Sequence, residues 1–196
     1  MPRSSAAEAR RTHAAIIDRA VQVASLEGLE GLTIGRLASD LGMSKAGVVG
    51  RFGSKEELQL ATLASAIELW IDRVWRPAEQ AEPGLPRLRA VADAWSGFLG
   101  HCPFPGGCFV SGVAFEFDGR PGRVHDAVKS ALDRWHDVLA REARVAIAAG
   151  DLAGDPEQIA FELNAIAMGT NQALHLRGDR RAAERCLRAM QRVLTR

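Results

Sequence analysis

Apolar residues recur along this sequence at helical spacing almost from end to end, and nowhere is there the alternating, β-branched run that a half-buried strand needs. An all-α fold is expected. With 196 residues and 47% hydrophobic content, the chain can bury one good core, or one core with a small module appended. Its longest apolar runs fall short of the roughly 18 residues that span a bilayer. The opening MPRSSAAEARR lacks the apolar stretch of a signal peptide, so no membrane partner is expected and the expected compartment is the cytoplasm. A formal net charge of +1 makes no case for nucleic acid by itself, so any such case rests on where individual Lys and Arg residues sit.

Helix boundaries show in the residues that cap and break helices. Ile17, Ala20, Val21 and Ala24 form one stripe, which Gly28 and Gly31 should end. Thr33 then caps TIGRLASDL, where Leu37 and Leu41 face inward and Ala38 leaves room for a close neighbour; Gly42 stops that helix after barely two turns. Ser44 caps a very short third helix. Ser54 caps a fourth, whose SKEE start reads as a capping box closed by Glu57. The fourth helix carries Leu60, Leu63, Ala64, Ile67, Trp70, Ile71 and Val74 on one face and should run until Pro77 and the EPGLP punctuation. Further helices are expected around 86–100 and 108–117, then up to Gly150, from Asp155 to near Gly178, and a last one capped by Asp179.

Two short helices, the first stopped at a glycine turn and both stacked on a longer one, make a helix-turn-helix that presents its second helix to a DNA major groove. In SKAGVVGRFGSKEEL the pairs Ser44-Lys45 and Ser54-Lys55 open two successive helices, where free N–H groups, a partial positive charge and a lysine make phosphate clamps. The small AGVVG between them lets the recognition helix lie close to base edges. From HAAIIDRAVQ onward, over about residues 13 to 62, the chain resembles the TetR family of transcriptional regulators: the pattern LTI..LA..LG.SK followed by F.SKEEL is nearly intact.

That resemblance implies a three-helix DNA-binding domain over 1–57 and a helical ligand-binding and dimerisation domain over 58–196. It implies a palindromic double-stranded DNA operator, a homodimer formed through the last two helices, and a small apolar or aromatic effector that releases the operator, the family's members being more often repressors than activators. The residues expected to meet DNA are Thr33, Ser44, Lys45, Ala46, Gly47, Val49, Arg51 and Lys55. Family members usually carry an aromatic where this chain has Val49, and His or Tyr where it has Arg51. A valine there reaches only a thymine methyl or a sugar, whereas an arginine keeps the phosphate role.

The aromatics Trp70, Trp95, Phe98, Phe109, Phe115 and Trp135 fall on the helices that in the family surround the effector cavity, and Met168 on the penultimate helix joins them. Glu116, Asn171, Gln172 and His175 are the polar residues expected to meet an effector, because each borders an apolar face. The penultimate helix has two apolar faces, Phe161, Ala165, Met168 and Gln172 on one, Leu163, Ile166, Thr170 and Leu174 on the other, so it needs two neighbours. Two other readings use the thiols: a redox-responsive regulator based on Cys102 and Cys108, and an enzyme with a Cys nucleophile near His101 or His125. Neither cysteine has a Lys or Arg beside it, and no strained elbow or Gly-rich phosphate loop accompanies them. No catalytic residue, metal site or cofactor is expected.

Overall fold

The computed structural model describes residues 6–195; residues 1–5 and 196, at the outer ends of the two expected domains, lie outside it. The described residues are helical with no strand. In chain order the helices are α1 (Ala6–Gly31), α2 (Ile34–Asp40), α3 (Lys45–Phe52), α4 (Lys55–Trp70), α5 (Arg76–Glu79), α6 (Leu85–Gly100), α7 (Phe109–Phe117), α8 (Arg123–Ala148), α9 (Pro156–His175) and α10 (Ala182–Val193), with a π-helical turn at Ile71–Trp75.

Local chemistry accounts for most of these boundaries. Thr33 Oγ1 accepts from the Arg36 amide at 3.1 Å, Ser44 Oγ from the Gly47 amide at 3.0 Å, Ser54 Oγ from the Glu57 amide at 3.1 Å and Asp155 Oδ1 from the Glu157 amide at 3.1 Å. Three local expectations need correction. Asp179 does not cap α10, which begins at Ala182; its carboxylate accepts from the Arg181 amide and bonds the Arg185 guanidinium instead. Glu57 does not close the capping box, because its carboxylate and that of Glu56 bond the Arg123 guanidinium at the start of α8. Pro77 does not stop the fourth helix. The α-helix gives way at Trp70 to the π turn, and helical backbone continues through Pro77, in the first turn of α5, to Glu79.

The chain forms two compact units, each discontinuous in sequence: residues up to Ala66 with Phe104–Val128, and Ile67–Pro103 with Lys129 onward. In the first, α2 packs on α1 and α3, and α7 packs on α1. Its buried side chains include the predicted stripe Ile17, Ala20, Val21 and Ala24, together with Leu29, Leu37, Val48, Leu58 and Leu63. In the second, α6, α9 and α10 pack on one another, with the π turn and α5 against α6. Leu88, Val91, Leu163, Cys186 and Met190 are buried there.

Candidate DNA interface and effector region

Helix α3 buries little: Val48 is fully covered, whereas Lys45, Ala46, Val49 and Gly50 are exposed. A half-turned helix of this kind presents a free outer face, and the Ser44 cap fixes where that face begins. The Lys45 stem lies over α2 at Gly35, where a Cβ would come within 3.4 Å of its Cε. Gly47 is half-buried and turned toward its own cap, since a Cβ there would stand 3.2 Å from Ser44 Oγ.

The other two expected phosphate cations have partners within the first unit. Arg51 Nη1 donates to the Ala9 carbonyl at 2.8 Å, tying the end of α3 to α1, and beside it Phe52 stacks on His13 with ring centroids 4.7 Å apart. Lys55 Nζ donates to the Glu30 carbonyl at 2.7 Å and lies 3.3 Å from that residue's carboxylate. Lys45 is left as the expected clamp cation with no ion pair among the described residues. At the far side of α2, Asp40 takes both Arg19 and Arg36, and its hydrogen bond from Arg19 first, then that from Arg36, holds the carboxyl below its usual range.

Gly28 breaks α1 with φ 77° and ψ 165°, and the chain then makes one more helical turn to Gly31. That turn is held from two sides. Glu116 on α7 accepts from the Leu29 amide at 2.9 Å and the Glu30 amide at 2.8 Å, one through each carboxylate oxygen. Gln59 on α4 donates to the Leu29 carbonyl at 2.8 Å and to the Glu30 carboxylate, which with Lys55 lowers the Glu30 pKa. The partners of Glu116 are therefore backbone amides of α1, 86 and 87 residues away, which no local sequence signal reveals.

Of the expected effector residues, Phe109, Phe115 and Glu116 belong to the first unit and the others to the second. Phe109 is buried, but Phe115 is 65% exposed and lines no interior. In the second unit the tryptophans converge. Trp135 has Trp70, Trp95 and Trp75 around it, with centroids at 4.6, 5.4 and 6.0 Å and ring planes at 79–81°. All three contacts are edge-to-face, the arrangement that aromatic quadrupoles favour. Trp135 Nε1 is buried and has no hydrogen-bond partner among the described residues. Trp75 was not among the expected effector residues. In an α-helix residues five apart stand about 140° apart, but a π turn brings them toward one face, and the turn at Ile71–Trp75 does this for Trp70 and Trp75. The guanidinium of Arg87 lies 5.9 Å from the Trp75 centroid and bonds Glu142, a buried carboxylate that also accepts from the Gly84 amide.

Phe98 is buried in α6, while Met168 and Asn171 are half-buried on α9. Gln172 and His175 are exposed, and Gln172 shares an outward stripe with Phe161 at 61% and Leu176 at 77% exposure. Burial pushes the Cys108 thiol up, and likewise that of Cys186, so both are weak nucleophiles at neutral pH.

In the first unit, two short capped helices, the second with a solvent-facing outer surface, form a helix-turn-helix. Residues 16–62 match the model of the bacterial regulatory proteins of the tetR family, and residues 84–190 match the tetracyclin repressor-like C-terminal domain. The chain belongs to the TetR family. It is 27% identical over 161 residues to the HTH-type transcriptional regulator SrpR of Pseudomonas putida, a match covering 78% of this chain and 68% of that protein. The fold matches a TetR regulator from Chloroflexus aurantiacus J-10-FL with TM-score 0.85 at 21% identity, over 96% of this chain and 94% of that one. It also matches AibR, solved with isovaleryl coenzyme A and operator DNA, with TM-score 0.74 at 20% identity over 93% and 97% of the two chains.

Proposed function

We propose that this protein binds an operator in double-stranded DNA as a homodimer and releases it when a small, mainly apolar effector binds. The observation that carries the DNA reading is α3, whose Ser44 cap and exposed Lys45, Ala46 and Val49 offer a phosphate contact and base-facing small residues on one surface. Dimerisation is supported by α9. Phe161, Ala165, Gly169, Gln172 and Leu176 follow one another at three- and four-residue spacing on a face left exposed in the single chain. Gln172 accordingly serves the association face in this reading.

An effector site is supported by the tryptophan cluster, because a buried indole N–H with no partner leaves an uncompensated donor. A ligand acceptor at Trp135 Nε1 removes that cost. AibR, whose fold this chain shares, supplies the parallel of a protein solved with isovaleryl coenzyme A and operator DNA. The thiol-redox reading is less well supported, since Cys108 is buried with its pKa raised. A helix-turn-helix and a TetR carboxyl-terminal match likewise favour a regulator over an enzyme.

The sequence has four tryptophans and no tyrosine, so near-ultraviolet emission reports on Trp70, Trp75, Trp95 and Trp135 alone. Compounds that quench this emission should weaken operator binding, with a coupling of about 1–3 kcal/mol that DNA returns reciprocally to the ligand. Replacing Trp135 by Phe, which removes the indole donor, should cut that ligand affinity. Quenching compounds that leave operator affinity unchanged would show that the cluster is not the switch.

A further inference from the structure

In the first unit, the cations away from α3 have partners, whereas the acids Asp18 and Asp118 have no ion pair among the described residues. Arg19 and Arg36 bond Asp40, Arg36 also bonds Glu27, Arg123 bonds Glu56 and Glu57, and Lys55 bonds Glu30. Arg120 lies over the Phe117 ring and is close enough to Glu30 to help lower its pKa. Around α3 the pattern reverses. Lys45, Arg10 and Arg11 have no ion pair among the described residues, and Arg10 and Arg11 are exposed. Glu8, the one acid between Ala6 and Ile17, is itself engaged.

Two independent contacts hold this stretch of α1 beside the recognition helix: Arg51 on the Ala9 carbonyl and Phe52 on the His13 ring. Ala9 and His13 mark the α1 face that meets α3. At about 100° per residue, Arg10 flanks that seam and Arg11 stands on the outer side. A chain of net charge +1 thus concentrates uncompensated cations where α1 begins and α3 is exposed. Exposed guanidinium groups without a carboxylate are well suited to phosphate oxygens, which they meet in a bidentate fork.

We infer that Arg10 and Arg11 form a second phosphate-contacting site on the DNA backbone, separate from the one at Lys45 and near the other end of α3, and that Arg51 acts on DNA indirectly by holding α1 in place. This rests on the DNA-binding reading above. A phosphate contact fixes position without reading sequence, so its loss should weaken binding alike on selected and random duplexes.

The test is the salt dependence of duplex affinity for the wild type, Arg10→Ala, Arg11→Ala, Arg10→Lys and, as a control for lost net charge alone, Arg134→Ala on α8. Each alanine change near α3 should lower the magnitude of the slope of log affinity against log salt by about 0.9, with sequence preference and melting temperature unchanged. Arg10→Lys should retain the slope. Slopes for both alanine variants equal to that of Arg134→Ala would overturn the inference while leaving Lys45-dependent DNA binding intact. Failure of the wild type to bind any duplex would overturn both.

Discussion

Gly106→Ala should lower the melting temperature by several degrees, because the added Cβ would stand 1.6 Å from the Ser25 carbonyl oxygen and 2.5 Å from its carbon. Both are backbone atoms, so no side-chain rotation relieves the clash; the loop before α7 must move off α1, or α1 must bend. Overpacking of this kind costs about 1–3 kcal/mol, and for a protein of this size each kcal/mol corresponds to about 2–4 °C. The hydrogen bond from the Gly106 amide to Ser25 Oγ, at 3.4 Å, is lost with the approach. Gly112→Ala, in α7 itself, is the matched comparison. Nothing lies within 4 Å of its added Cβ, and exchanging an exposed helical glycine for alanine should stabilise by up to about 1 kcal/mol. Equal melting temperatures for the two variants would contradict the close packing of this loop on α1.

Glu116→Ala should have a comparable effect from the other side of the same contact. It strands the Leu29 and Glu30 amides, which find no substitute acceptor in their own helix because Gly28 has broken it. The cost is about 1–3 kcal/mol, and hydrogen exchange at those two amides should accelerate by about tenfold for each 1.4 kcal/mol lost. Glu116→Gln should fall between, since the amide keeps one acceptor but points a donor at another donor. A Cβ at Gly28 would stand 2.7–2.8 Å from the Glu116 carboxyl atoms, so Gly28→Ala should cost less in the Glu116→Ala background than in the wild type. The positive φ at Gly28 keeps that cost above zero in either background. Unchanged exchange at Leu29 and Glu30 would mean that α7 does not hold the end of α1.

What the sequence disclosed and what it withheld divide by range. The caps at Thr33, Ser44, Ser54 and Asp155 and the break at Gly28 are decided by a few neighbouring residues, and each stands where the sequence placed it. The all-helical architecture follows from periodicity for the same reason. The other half of the Ser54 box failed because a distant arginine competes for Glu57. Glu116 and Arg51 were read as groups waiting for a ligand and a phosphate, whereas each is engaged by α1 backbone that only the folded chain brings near. Trp75 joined the aromatic cluster through a π turn, which shifts the helical phase in a way that a fixed period of 3.6 cannot anticipate.

Selection of bound duplexes from a random pool, followed by measurement of how many chains occupy the selected site, bears most directly on the proposed function. An inverted repeat is expected, with half-site centres about 34 Å or a multiple apart and an even number of chains bound. A selected sequence without inverted symmetry, or a protein that sediments only as a monomer and binds as one, would contradict it.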